Sequence, residues 1–295
     1  MSGRSILADN FRIKFYSTDI FLLAYIFCQL AILAASGGIQ RDHLFLFYIA
    51  SALSIAAIAI VPRPEGPSIL NFIRASYPLF LLVLFYYVAG AQIRILELSA
   101  HDNFFNALEI NLLGVYPTIA LQQIMEIWLN ELSYILYCLG FVVPVLAIAM
   151  LYNKWHLRLY YNFILALEIG CCVCLIISSS LPVGGPEKAL QNMYYLGIYG
   201  SNFVEIVSYL INSYFVSYDS FPAIYFCIII ISSFYLWDFG KFYVVITFIA
   251  LISVFWGGIY LRYHYLLDGL AALIIAFLAV AIASYTLYRS NAKQT

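Results

Sequence analysis

The stretch GGIYLRYHYLLDGLAALIIA, residues 257–276, places Arg262, His264 and Asp268 between two apolar runs. One run fills 242–261 and the other fills 265–288. Each approaches or exceeds the roughly 20 apolar residues that a membrane-crossing helix needs. Lipid gives the backbone no hydrogen-bond partners, so each run must satisfy its own polar groups as a helix. The polar cluster therefore sits where two transmembrane helices meet, as an interfacial anchor or as a working site.

The rest of the chain has the same character. Of its 295 residues 64% are hydrophobic and only 10% charged, against about 25% charged in soluble domains. Further apolar runs fall at 19–37, 43–62, 76–95, 128–152, 157–181 and 221–237. With the two above they predict an all-α, polytopic membrane bundle of about eight spans, with no separate soluble domain between them. The first run follows a polar head and is long enough to span, so it reads as a retained helix and not as a cleaved signal. Two stretches, 100–127 and 183–220, mix polar and apolar residues at helical spacing and suit the membrane interface. The net charge of −1 argues against a nucleic-acid partner.

Lys and Arg set an orientation. With the N-terminus cytoplasmic, Arg4, Arg12, Lys14, Arg63, Arg74, Lys154, Arg158, Lys241, Arg289 and Lys293 lie on the cytoplasmic side. Arg41, Arg94, Lys188 and Arg262 lie on the far side. Both termini are then cytoplasmic. Both long loops and the His264 stretch share the outer, periplasmic or lumenal, face.

His264 and Asp268 are four apart, so on a helix beginning near Arg262 they share one face. A carboxylate that holds one ring nitrogen of a His fixes its tautomer and frees the other nitrogen to attack or to carry a proton. Arg262 near a helix N-terminus adds an anion site. The group fits a phosphorylated substrate attacked by His; a set of interfacial polar residues capping a helix fits the spacing as well. Cys28, Cys138, Cys171, Cys172, Cys174 and Cys227 all lie in apolar runs, without the His or second Cys pair of a zinc site. No metal cluster is visible.

Arg262-Tyr263-His264-Tyr265-Leu266-Leu267-Asp268-Gly269 resembles the last motif of the type-2 phosphatidic acid phosphatase superfamily, closest to its inositol-phosphorylceramide-synthase-like (inositolphosphotransferase) branch. Leu181-Pro182-Val183-Gly184-Gly185-Pro186 resembles the branch's P-x-x-G-P segment, and Ser220-Phe221-Pro222-Ala223-Ile224-Tyr225 its F-P-S-x-H segment. Upstream, Leu112 to Pro117 with Leu121-Gln122 is similar to its interfacial segment. The resemblance covers about residues 70–288. It implies a six-helix core at 71–290, preceded at 1–70 by a polar head and two extra helices. It also implies that His264 is the nucleophile of a phospho-histidine intermediate and that Asp268 orients it. Arg262 and Lys188 would hold the phosphate, and no cofactor or metal is needed. The substrate would be a membrane lipid, with water or an alcohol as acceptor, making a lipid phosphatase or phosphotransferase.

The chain departs from the pattern at three places. Tyr225 stands where the branch has its proton-donating His, Ala223 replaces its Ser, and Gly258 stands where an Arg often precedes the motif. A phenol with a pKa near ~10 is a poor general acid at neutral pH unless tuned. Three readings stay open: Tyr225 is the acid itself, another group such as His101 supplies the proton, or the chain binds lipid phosphate without turnover, as the partner of another membrane protein. Glu168, inside an apolar run, is a costly intramembrane carboxylate and a candidate for function. Glu205 and Asp219 are candidates for head-group contact or proton relay, or solvated loop charges.

Overall fold

The computed structural model describes residues 15–36, 42–61, 66–96, 100–153, 156–214 and 218–292. Arg4, Arg12, Lys14, Arg41, Arg63, Lys154 and Lys293, which enter the charge bias, lie outside them. Among the described residues the structure is helical, with one isolated parallel bridge between Val183 and Asp219. The principal helices are α1 (Ser17–Ala35), α2 (Asp42–Ala59), α3 (Ile69–Ile95), α4 (Asp102–Leu113), α5 (Ile127–Leu139), α6 (Val142–Leu151), α7 (Leu157–Ser180), α8 (Asn202–Tyr214), α9 (Ile224–Leu236), α10 (Lys241–Tyr260) and α11 (Leu266–Ala292).

Among the described residues seven segments are long and apolar enough to cross a membrane: α1, α2, α3, α5 with α6, α7, α10 and α11. The chain is a multi-pass membrane protein. The run expected to span at 221–237 forms the shorter α9, closed by a 3-10 turn at Trp237–Phe239. α9 packs on α6, α7, α10 and α11. Cys227, Ile229, Ile231 and Leu236 are fully buried, so most of α9 is covered by protein, while Phe234 stays exposed. α7 is the centre of the bundle: 78% of its most apolar window is buried, against 28–39% for the other six.

The run at 128–152 is two helices that meet at Gly140. Pro144 has no N–H, and its ring crowds the carbonyl four residues earlier. The turn tightens there, with Gly140 N donating to the Tyr137 carbonyl at 3.3 Å and Phe141 N to that of Cys138 at 3.1 Å. Glycine is required by the packing, because a Cβ on Gly140 would lie 2.5 Å from the Tyr225 hydroxyl oxygen.

Polar bonds between helices fix the register of the N-terminal pair. At one end Arg74 grips buried Asp19 with both terminal nitrogens, at 3.2 and 2.9 Å, and Tyr77 donates to the same carboxylate at 2.5 Å. At the other end Gln92 donates to Gln29 at 3.0 Å, Gln29 to Ser179 at 3.1 Å, and Tyr48 to Gln92 at 3.2 Å. Such bonds tie α1, α2, α3 and α7 where apolar surface gives no preference between helix and lipid.

Candidate functional site

The site forms where the ends of α7 and α10 meet the starts of α9 and α11. Ser178 of α7 donates to the Phe221 carbonyl at 3.0 Å, and Ala223 N reaches the Asp268 carbonyl at 3.4 Å. The segment between α10 and α11 is a tight reversal. Gly258 O accepts the N–H groups of Tyr263, at 2.9 Å, and His264, at 3.0 Å. Arg262 sits at φ 69°, the left-handed region that costs a non-glycine residue about 1–2 kcal/mol.

α11 begins at Leu266, later than the start near Arg262 that the sequence suggested. Its first turn is filled by carboxylates of the protein itself. Leu266 N donates to Glu109 of α4 at 2.7 Å, and Tyr265 N to Asp268 at 2.7 Å. The helix end is therefore not an open anion site. His264 and Asp268 still meet, but through this capping turn instead of along a helix face.

Asp268 is fully buried. Its Oδ2 accepts from the Ser220 hydroxyl at 2.5 Å and lies 3.5 Å from His264 Nδ1. Nδ1 also lies 3.1 Å from the Ser220 carbonyl oxygen. A carbonyl can only accept, so Nδ1 carries the proton and the neutral ring keeps its lone pair on Nε2. Burial alone would lower the His264 pKa. The bond and charge of Asp268, the charge of Asp219 and the Ser220 carbonyl outweigh it and hold the imidazole above its ordinary value.

His264 lines a cavity of about 730 Å³, within the range of small-molecule sites. Arg262, Lys188, Asp219 and Tyr225 share its wall. Arg262 packs its guanidinium 3.8 Å from the Tyr194 ring centre and donates to the Leu196 carbonyl at 2.7 Å. Its buried Nε has no hydrogen-bond partner among the described residues. Burial lowers the pKa of Arg262, opposed by Tyr194 and Glu187. Burial also lowers that of Lys188, opposed by Asp219, Glu187 and Asp102. Asp219 accepts from the Tyr86 hydroxyl at 2.5 Å. Burial pushes its carboxyl above the ordinary range, against the pull of Tyr86, His264 and Lys188.

Tyr225 lines the cavity, but its hydroxyl donates to the Tyr137 carbonyl at 3.0 Å, at the break between α5 and α6. Its ring stacks on Phe141 with centres 4.2 Å apart. The proton it would deliver as an acid is thus engaged by the backbone. His101, exposed at the start of α4, is outside the cavity wall, and its N–H donates to the Pro182 carbonyl at 2.9 Å. Glu168 is fully buried within α7 and does not line the cavity. Glu205 is exposed on α8 and does not line it either. Cys171, Cys172, Cys174 and Cys227 are buried free thiols.

Residues that charge and spacing left unmarked hold the site in place. Asp102, beside His101, accepts from Gly184 N and Gly185 N, each at 2.9 Å, and from the Tyr265 hydroxyl at 3.0 Å. It clamps the segment carrying Lys188 to the start of α11. Gly185 is at φ 88°, and a Cβ there would lie 2.7 Å from the Tyr263 carbonyl oxygen. Ser220 touches both His264 and Asp268. Its place just before the Phe-Pro pair was the one available signal.

Comparisons with protein-family models, with curated proteins and with solved structures found no match.

Proposed function

We propose that the chain is a lipid phosphotransferase or phosphatase of the type-2 phosphatidic acid phosphatase kind, working through a phospho-histidine. The observation that carries this reading is the placement of the His264 ring on the same cavity as Arg262 and Lys188, with Asp268 behind its Nδ1. A nucleophilic nitrogen beside two cations suits a phosphate ester. The charge bias of the sequence supports a periplasmic or lumenal face for this site, and the family resemblance supports α3, α5–α6, α7, α9, α10 and α11 as the core with α1–α2 as the addition.

In the first half-reaction the Nε2 lone pair attacks phosphorus, and the bond to the lipid alcohol breaks. The alcohol oxygen leaves with the electron pair and takes a proton. Asp219 supplies it, being a partly buried carboxyl on the cavity wall that desolvation holds above the ordinary range. In the second half-reaction the Asp219 carboxylate takes the proton of water or of an acceptor alcohol. That oxygen attacks the phosphorus, and the P–N bond breaks to restore the Nε2 lone pair. Arg262 and Lys188 neutralise the phosphate in both steps, a term commonly large in such reactions.

Tyr225 favours a second reading, because its hydroxyl is committed to the Tyr137 carbonyl. The chain would then hold lipid phosphate without turnover, as a partner subunit. Purified protein in nanodiscs, assayed for phosphate release and head-group exchange on a panel of lipid phosphates, decides between them. The enzyme reading expects turnover by the parent and none by His264→Ala or Asp219→Asn. A silent parent that still binds lipid phosphate would establish the second reading and overturn the first.

A further inference from the structure

Beside the polar cavity lies a second, apolar one of about 290 Å³. α3 contributes Leu82 and Val83 to it, α6 contributes Ile148, and α7 contributes Leu167 and Cys171. Ile224 and Tyr225 line both cavities. Tyr86, on the apolar cavity, donates its hydroxyl proton to Asp219, on the polar one. The two spaces therefore share a wall. At the open side of the slot Val83 is 54% exposed and Phe141 42% exposed, on helices that cross the membrane. The slot opens sideways, toward lipid.

We propose that this slot holds one hydrocarbon chain of the lipid whose phosphate sits at His264. The inference rests on the lipid-phosphate reading above and gives its substrate a second point of attachment. The slot has little to offer a polar ligand: the Tyr86 hydroxyl is spent on Asp219 and that of Tyr225 on Tyr137. An apolar cavity of this kind does not hold water well. A chain that moves from bilayer to slot leaves one hydrocarbon surrounding for another, so it gains little transfer free energy. What the slot supplies is position. With the chain seated between α3, α6 and α7, the head group is confined to the adjoining polar cavity, where the ester phosphorus meets Nε2.

The test uses phosphatidic acid with a photoreactive diazirine on one acyl chain, diluted into phosphatidylcholine nanodiscs that hold the full chain. Labelled residues are mapped by mass spectrometry. The expected label falls on α7 at Leu167 and Cys171. It drops about tenfold with tenfold excess unlabelled phosphatidic acid, by mass action, and is unmoved by the same excess of diacylglycerol. Val83→Trp and Ile148→Trp, each checked by thermal melting, should lose the label by filling the slot. Label that tracks the probe's mole fraction and ignores unlabelled phosphatidic acid would show bulk lipid in the slot and overturn the proposal. Turnover of a short-chain, water-soluble phosphate monoester by the parent separates the two claims. Turnover without slot labelling sinks the slot alone. Competed slot labelling without turnover sinks the catalytic reading and leaves the slot standing.

Discussion

Gly258 lies beneath the imidazole, and enlarging it should move His264 without unfolding the protein. A Cβ at 258 would stand 3.2 Å from His264 Cδ2, closer than ordinary contact. The ring must yield by a few tenths of an ångström. Nδ1, however, is held at 3.1 Å from the Ser220 carbonyl and 3.5 Å from Asp268. A misplacement of about 1 Å can cost about 10²-fold in rate, so a few tenths should cost roughly 3- to 5-fold. Gly258→Ala should therefore lower kcat by that modest factor. Gly258→Leu, which must displace the ring by about 1 Å, should lower it by about 10²-fold. Stability moves differently. Gly258 is in the last turn of α10, and alanine there gains up to about 0.5–1 kcal/mol of helix stability, which offsets much of the strain. Phosphate release from phosphatidic acid, measured beside thermal melting, separates the two effects. Rates that stay within twofold across the series would show that His264 is not the reacting group. Rates that fall only in step with the melting temperature would refute the positioning argument.

Tyr225→Phe should keep turnover near that of the parent and cost about 0.5–1.5 kcal/mol in stability, since only the bond to the Tyr137 carbonyl is lost; turnover with melting checks both, and a large loss of kcat would return the acid role to Tyr225. The His264 pKa is raised, and only the neutral ring attacks, so activity should climb as pH rises through that raised value. Asp268→Asn removes the charge that raises it, and the acidic limb of a kcat/KM profile should shift to lower pH. Arg74→Met strands the Asp19 carboxylate in the bundle and should destabilise by about 3–5 kcal/mol. The double variant with Asp19→Asn should recover much of that loss in melting experiments. Gly185→Ala forces a left-handed residue against the Tyr263 carbonyl and should cost at least about 1–2 kcal/mol while disturbing the site, read by melting and turnover together.

The membrane spans were legible because long apolar runs need no tertiary information to be read. Where helices end depended on partners distant in sequence. α11 starts at Leu266 because Glu109, from α4, takes its first free N–H. The break at Gly140 follows from Pro144 and goes with the Tyr225 hydroxyl, which donates to the Tyr137 carbonyl. The apolar run at 221–237 read as a span; that the helix it forms is shorter and packs on four others is a property of the bundle. The pairing of His264 with Asp268 was legible from spacing, although a capping turn makes it instead of a helix face. His101, Glu168 and Glu205, candidates in the sequence, lie outside the cavity wall. Asp102, next to His101, holds the site through the N–H groups of Gly184 and Gly185, and Ser220 through the Asp268 carboxylate, partners far off in sequence. Asp219 read equally as a head-group or proton-relay candidate and as a solvated loop charge; its bond to Tyr86, 133 residues away, is visible only in the fold.

The central claim is that Nε2 of His264 becomes covalently bonded to phosphorus. The most direct measurement is to incubate the purified protein with phosphatidic acid radiolabelled in its phosphate, quench in alkali and map the label. Phosphorus bonded to histidine nitrogen survives alkali and is released by acid. The account predicts alkali-stable, acid-labile label on the peptide containing His264, absent from His264→Ala. Label on another residue, or turnover with no trapped intermediate under a rapid quench, would contradict it.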